Sequence, residues 1–536
     1  MDEWVSGVCH NRAMSQPISR RLFLALGASV VVAACSKDDT SAPDTTAADT
    51  TTTTPATTTL PPVDFTGDPF TLGVASGDPT DTSVIIWTRL APDPLNGGGL
   101  SDQDYQVRWE IASDADFTDI TSSGDATASA RYGHSVHVDV SPAPGAVAYY
   151  RFRIADHTSP VGVTRLAPAA GSTDQVRIAT ASCQNYTDGF YTAYDDMATE
   201  SPDLIVFLGD YIYEGGIGTL DETTARLHNS DEIKDLVAYR NRYALYKSDP
   251  LLQRAHSVCP WVITWDDHEV ENNYANLSPQ DPADTEGYAA RRAAAYQAWW
   301  EHMPVRLDPP VDENLTIYRR LAWGGLINML VLDGRQYRND QACGDAVLQL
   351  SPACDEASVP ERSMLGSEQE SWVAENVASD AIWTVLANQT VMTDIRVGAA
   401  ILNYDQWDGY APSRDRILES AADVENLIVI TGDIHLAGVG QLTTTADPTT
   451  SRGIEFVTTS ISSSGNIDAS TESLLVALPN IIDAEVSHRG YTLHTITADT
   501  WTADYRIVDN ALVEGSAVTT WKTFTVKAGA PVVTEA

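Results

Sequence analysis

Leu427-Ile428-Val429-Ile430-Thr431-Gly432-Asp433-Ile434-His435 sets a short apolar and β-branched run directly before two residues that bind metals. A run of this length reads as a buried strand, too short for a helix. Its C-terminal edge is where layered α/β sheets bind ligands. The same design appears three times upstream. Val176 to Ala181 ends in Ser182-Cys183, Leu204 to Gly209 in Asp210-Tyr211-Ile212-Tyr213, and Trp261 to Trp265 in Asp266-Asp267-His268-Glu269. Four strand ends carrying Cys, Asp, Tyr and His imply one polynuclear metal site.

Around these runs, from Gln175 onward, strand patterns alternate with helical ones. Pro282 to Met303 carries Tyr288, Arg292, Tyr296, Trp299, Trp300 and Met303 at helical spacing, a stripe suited to core packing. Ser367 to Val377 reads as another helix, leading into the strand Ala381 to Leu386. Gly490 to Val526 returns to strand alternation. Strands at both ends of residues 171–528 predict an α/β catalytic body in which two sheets face each other. Residues 66–170 differ. Ser83 to Thr88, Tyr105 to Trp109 and Ala148 to Arg153 are short, β-rich and bounded by Gly, Pro and Asp. They predict a small immunoglobulin- or fibronectin-like sandwich. His134 and His137 within it read as surface or strand-pairing residues rather than ligands.

The first 35 residues read as a targeting segment. Ser19-Arg20-Arg21-Leu22-Phe23-Leu24 and the apolar stretch behind it resemble a twin-arginine export signal. Val32-Ala33-Ala34-Cys35 resembles a lipobox, making Cys35 a candidate lipid anchor and the only expected contact with a membrane. Residues 36–65 are dominated by Thr, Ala, Asp and Pro and predict a disordered tether. The expected location is therefore outside the cytoplasm. There Cys343 and Cys354 have the oxidising surroundings needed to pair, while Cys259 reads as a buried thiol. Acids outnumber bases 74 to 33, for a net charge of −41. That excess speaks against a nucleic-acid-binding surface, which needs clustered Lys and Arg. The chain is expected to act as a monomer.

The chemistry follows from ligand types. Asp210 is suited to bridge two metal ions, and the Tyr213 phenolate favours a trivalent ion such as Fe(III). Cys183 adds a thiolate to that ion and His435 an imidazole. Asp433 and Asp267 face a neighbouring ion, to which Asn388 offers a neutral oxygen suited to a hard cation such as Ca²⁺. Taken one at a time, these residues have duller readings as caps, packing groups or buried thiols. Arg335 has two readings: a bidentate contact to phosphate, or an ion pair with Asp333 or another carboxylate.

These residues resemble the PhoD-type alkaline phosphatases, relatives of the purple acid phosphatases among the calcineurin-like metallophosphatases. The resemblance runs from about Phe70 to Val526. It rests on Ala181-Ser182-Cys183, Gly209 to Glu214, Trp265 to Glu269, Leu332 to Arg338, Asp405 to Tyr410 and Gly432 to His435, in that order. It implies an αββα sandwich preceded by a small all-β domain. It also implies a secreted phosphomonoesterase and phosphodiesterase with one Fe(III) and one or two Ca²⁺. Carried over, Cys183, Asp210, Tyr213 and His435 hold iron, with Asp210 bridging to calcium and Asp267, Asn388 and Asp433 on the calcium side. One departure stands out: Gly334 occupies a position more often Thr, which leaves the placement of Arg335 open. In the mechanism expected of such a site, a metal-activated water or hydroxide attacks phosphorus, and His268 protonates the leaving oxygen or hydrogen-bonds the phosphoryl group.

Other enzyme classes fit less well. The chain has no Gly-x-Ser-x-Gly elbow, no phosphate-cradling Gly-rich loop with its Lys and no dinucleotide fingerprint. A phospholipase D-like diesterase acting on phospholipids or teichoic-acid-like polymers would need the same metal site, with only the pocket rim changed. A surface-tethered adhesion module built on the small sandwich would leave the strand-end ligands without a purpose.

Overall fold

The computed structural model describes residues 65, 67–311, 313–344 and 353–536. The export signal expected over 1–35, with Cys35, and the tether over 36–65, Phe65 apart, lie outside the described residues.

Two mixed sheets face each other. The larger runs, in order, through Ala530–Glu535, Val518–Lys527, Thr500–Val508, Arg489–Ile496, Val176–Ala181, Leu204–Phe207, Trp261–Ile263, Val74–Gly77, Val84–Arg89 and Ser135–Val140. The smaller runs through Arg319–Trp323, Ile327–Val331, Trp383–Ala387, Leu427–Thr431, Gly453–Val457, Ala437–Leu442 and Ile481–Glu485. Their central strands are parallel, so their C-terminal ends open on one edge.

The apolar runs are continuous because both faces of each sheet are covered. Side chains alternate across a strand. Leu204 and Val206 therefore meet the facing sheet, while Ile205 and Phe207 meet the outer helices that carry Met197, Tyr239, Leu252 and Trp299. In the second sheet Ile428 and Ile430 point inward. Leu427 and Val429 point to an outer layer that includes the helices Gly366–Asn376 and Ala411–Ser420. The result is an αββα sandwich.

The helix expected over 282–303 is shorter. Pro282–Asp284 forms a separate 3-10 turn, and the α-helix is Tyr288–His302. Gly287, at φ 82°, takes the left-handed conformation that separates them. The stripe does pack: the rings of Tyr296 and Trp265 stack 4.1 Å apart.

The N-terminal strands form the expected sandwich. A five-stranded sheet containing Tyr105–Ala112, Ile120–Ala128 and Ala148–Ile154 packs on Val74–Gly77, Val84–Arg89 and Ser135–Val140. Those last three strands also complete the ten-stranded sheet. The junction is parallel pairing of Gly77 with Trp261. A Cβ at Gly77 would lie 2.3 Å from the Pro304 carbonyl oxygen, so only glycine permits the approach. His134 is interior rather than a surface residue, while His137 is half-buried and, as expected, strand-pairing: it sits on Ser135–Val140 opposite Trp87. His134 is buried against the Gln103 carbonyl, and His137 bonds the Met303 carbonyl at 2.8 Å and stacks on Trp300. Among the described residues no helix is long and apolar enough to cross a membrane.

Candidate metal centre

Every candidate ligand lies just past a strand on the shared edge. Cys183 follows Val176–Ala181, Asp210 and Tyr213 follow Leu204–Phe207, and Asp267 and His268 follow Trp261–Ile263. From the facing sheet come Arg335, Asn388, and Asp433 with His435, after Ile327–Val331, Trp383–Ala387 and Leu427–Thr431. Backbone bonds stitch the ends together: the Cys183 amide donates to Gly209 O at 3.0 Å and the Asn388 amide to Ile430 O at 3.0 Å. Cys183, Asp210, Asp433 and His435 all have left-handed backbones, with φ of 57°, 59°, 67° and 57°. Such strain in non-glycine residues persists where the surroundings over-determine it, commonly at functional sites.

The first cluster joins Cys183, Asp210 and His435, whose ligand atoms all lie within 4.8 Å of one another. Tyr213 completes it: its hydroxyl donates to Asp210 Oδ2 at 2.9 Å and lies 3.2 Å from His435 Nε2. His435 Nδ1 donates to the Ser464 carbonyl at 2.6 Å, which leaves Nε2 facing the cluster. Burial, with Asp210 adding to it, pushes the Cys183 thiol well up; the same causes, with Cys183, push the Tyr213 phenol up.

The second cluster joins Asp266, Asp267 and Asp433, and Asp210 reaches it through a group with Asp267 and His268. Arg335, fully buried, lies among these carboxylates. Its Nε donates to Asp266, Nη1 to Asp405 at 2.8 Å and Nη2 to Asp433 at 3.1 Å, and Nη2 is 3.6 Å from Asp267. Of the two readings of Arg335, the geometry therefore follows the carboxylate pairing. Its donor edge meets side chains from both sheets, and Asp333 meets its backbone amide instead.

His268 stands between the clusters. Its Nδ1 pairs with Glu214 at 2.7 Å and its ring stacks on Tyr213 at 4.1 Å. Burial works against a charged ring, but Glu214, Asp210 and Asp267 outweigh it and hold the imidazole well above its ordinary range. Glu214 is fixed in turn by the Asn272 amide at 2.8 Å.

Cations fit these residues. Asn388 Oδ1 is buried and has no hydrogen-bond partner among the described residues, a costly state for a polar atom. Burial, reinforced by Asp405, Asp267 and Asp210 against the pull of Arg335, pushes Asp433 up to about 7, a strain that a nearby positive ion would relieve. Sulfur, nitrogen and phenolic oxygen in the first cluster suit a transition metal, and the oxygen-only second cluster suits a hard cation.

Sequence reasoning left several partners unassigned. Glu214, Asp266 and Glu269 sit inside motifs it singled out without a role. Glu269 accepts from the amides of Asp210, Tyr211 and Asp266 at 3.0, 2.7 and 2.9 Å, which ties two ligand loops together. Ser463, donating to the Tyr213 hydroxyl at 2.8 Å, had a usable signal: a hydroxyl-rich run directly behind the apolar strand Gly453–Val457.

Comparison with known proteins adds a second line. The family model for PhoD-like phosphatase matches residues 178–505, and that for the PhoD-like phosphatase N-terminal domain matches residues 48–168. Alkaline phosphatase D of Bacillus subtilis (strain 168) is 45% identical over 477 residues, spanning 86% of this chain and 81% of that protein. The solved structure of PhoD superposes with a TM-score of 0.84 at 43% identity, over 88% of this chain and 93% of that one. Purple acid phosphatase PPD1 from yellow lupin (Lupinus luteus) seeds shares the fold, with a TM-score of 0.52 at 11% identity over 85% and 73% of the two chains.

Proposed function

The chain belongs to the PhoD-like phosphatase family, and from that premise we propose an exported alkaline phosphatase that hydrolyses phosphate monoesters and diesters at an iron–calcium centre. The observation that carries this reading is the convergence of Cys183, Asp210, Tyr213 and His435 beside the unpartnered Asn388 Oδ1. In it, Cys183, Asp210, Tyr213 and His435 hold Fe(III). Asp210 extends to the calcium side, where Asp267, Asn388 and Asp433 hold one or two Ca²⁺. When bound, the cations supply positive charge for the phosphoryl oxygens and acidify a water nucleophile.

The chain's own residues do the rest. His268, whose imidazole Glu214, Asp210 and Asp267 hold above its ordinary range, offers Nε2 to the leaving oxygen because Nδ1 is held by Glu214. For Arg335 the part proposed is the second of its two sequence readings, pairing with carboxylates. Its guanidinium offsets the crowding of Asp266, Asp267, Asp405 and Asp433 and sets their side-chain directions. Burial of the cluster strengthens each of these interactions. Export is proposed through the Ser19 to Leu24 twin-arginine segment, with Cys35 as the anchor. That route carries folded chains, so the first cluster has the opportunity to load before secretion.

The test is metal analysis and a visible spectrum of the purified chain, alongside release of p-nitrophenol from its phosphate monoester and diester. The expected result is iron and calcium in active protein, with a visible band that disappears in Tyr213→Phe. A colourless, iron-free and fully active chain would sink the reading.

A further inference from the structure

Asp405 lies outside the proposed ligand set but is tied to it from three directions. It is buried, and its Oδ1 accepts from Arg335 at 2.8 Å, Arg338 at 2.6 Å and Gln341 at 2.8 Å. Gln341 Nε2 also donates to the Asn273 carbonyl at 2.7 Å, as Arg338 Nη2 does at 3.2 Å. The Asn273 amide in turn donates to Asp267 Oδ2 at 2.6 Å. Gln341 therefore bridges two stretches that end on calcium-side carboxylates: Asp405 leads through Arg335 to Asp433, and Asn273 leads to Asp267.

Two residues beyond Gln341, Cys343 is bonded to Cys354. Ala342 and Ala357, with Cys343, Ala353 and Cys354, pack on Ile401 and Tyr404, directly before Asp405. The Ala353 amide donates to Ala399 O at 3.3 Å. The disulfide thus ties the Gln341 segment to Cys354, whose neighbours pack and hydrogen-bond against the segment that carries Asp405. A cross-link of this kind restricts the conformations open to both.

We propose that the Cys343–Cys354 disulfide, Gln341 and Asp405 form a positioning clamp for the calcium-side half of the centre, which reaches full calcium affinity only once the disulfide has formed. The clamp rests on the iron–calcium reading. Forming the bond joins two Sγ atoms as two thiols give up two protons and two electrons to a protein disulfide, which is reduced to a dithiol. Such exchange belongs to an oxidising compartment, so the clamp closes after export and leaves the calcium side loose before it.

The test uses the full chain, unchanged or carrying Cys343→Ser/Cys354→Ser or, separately, Gln341→Ala. Calcium binding is read by equilibrium dialysis and by activity against added calcium. The disulfide variant is expected to need about tenfold more calcium, the scale seen when groups that orient metal ligands are lost. Saturating calcium restores its rate, and its iron content and visible band stay unchanged. Gln341→Ala shifts the curve less, in the same direction. Hydrogen exchange supplies a readout free of metal: peptides covering 399–408 and 270–276 should exchange faster in the disulfide variant. An unmoved calcium midpoint, a loss that calcium does not restore, or faster exchange confined to 339–344 and 353–362 would overturn the clamp. If the unchanged chain bound no calcium, the iron–calcium reading would fall, and the exchange data alone would decide the clamp.

Discussion

The two halves of the centre handle buried charge differently. In the first, Cys183, Asp210, Tyr213 and His435 lean on one another: a phenol donates to a carboxylate and lies against an imidazole. In the second, Arg335 already stands among Asp266, Asp405 and Asp433 as a built-in cation. Breaking a buried pair costs more than the pair itself contributes, so a resident guanidinium lets the second half keep its shape when a cation leaves. Among the described residues no guanidinium donates to the side chains of the first half; His268, stacked on Tyr213, stands between the halves instead. Three of the first half's four donors, Cys183, Asp210 and His435, stand on left-handed backbone, against Asp433 alone among Asp266, Asp267 and Asp433. The first cluster is therefore expected to keep its ion tenaciously, and the second to exchange with solvent. A calcium chelator should abolish activity reversibly while the visible band persists; loss of the band together with calcium would break the distinction.

Asp210 belongs to both halves, so its replacement tests the comparison most severely. Asp210→Asn keeps the volume and removes the charge. We expect phosphate release to fall by roughly a thousandfold or more, beyond the ten- to hundredfold usual for outer partners of a metal site. Neither iron nor calcium in the assay should restore it. A smaller loss would mean that the halves work separately.

Replacements confined to one half come next. Tyr213→Phe and Asn388→Ala are each expected to cost about a hundredfold. Added calcium should recover much of the Asn388→Ala activity and none of the Tyr213→Phe activity, and only Tyr213→Phe should lose the visible band. Recovery of both by calcium would place Tyr213 in the wrong half.

The contrast also marks what the sequence makes legible. Strand-end ligands are readable because an apolar run followed at once by Cys, Asp or His is a local pattern. Asn388 was reachable in the same way, though nothing local reveals that its Oδ1 is unpartnered. The partners of Arg335 are a different kind of fact: Asp266, Asp405 and Asp433 lie 69, 70 and 98 residues away, and only the facing of two sheets unites them. The left-handed backbones at Cys183, Asp210, Asp433 and His435 carry no glycine to announce them. The same limit applies to the fold. Alternation located the small sandwich, but the pairing of Gly77 with Trp261, which merges it with the large sheet, joins residues far apart in the chain.

Backbone geometry beneath the first cluster gives a smaller effect. Gly209 has φ 113°, and a Cβ there would lie 2.5 Å from the Asp266 backbone nitrogen. Gly209→Ala is expected to destabilise the fold by roughly 2–3 kcal/mol, through strain and overpacking together. Thermal unfolding measures this, and an unchanged Tm would show that the two ligand loops are looser than their hydrogen bonds imply.

The smallest effect separates two thiols that burial alone does not distinguish. Cys183 is 1% exposed and Cys259 is 0% exposed. Burial pushes both thiols up, yet only Cys183 shares its surroundings with Asp210 and His435; Cys259 lies among Leu252, Ala255 and Trp261 in the core beneath the outer helices. Cys259→Ala removes a sulfur that packs in this core and belongs to neither candidate ligand cluster. It should cost about 1 kcal/mol, a typical value for a point substitution, and leave the turnover rate, metal content and visible band unchanged. Cys183→Ala, by contrast, should lower iron content at similar fold stability, because in the proposed centre the thiol holds the iron. If Cys259→Ala also lost iron, metal retention would depend on the packing of the helical layer, and the first cluster would not be the self-contained unit its geometry implies.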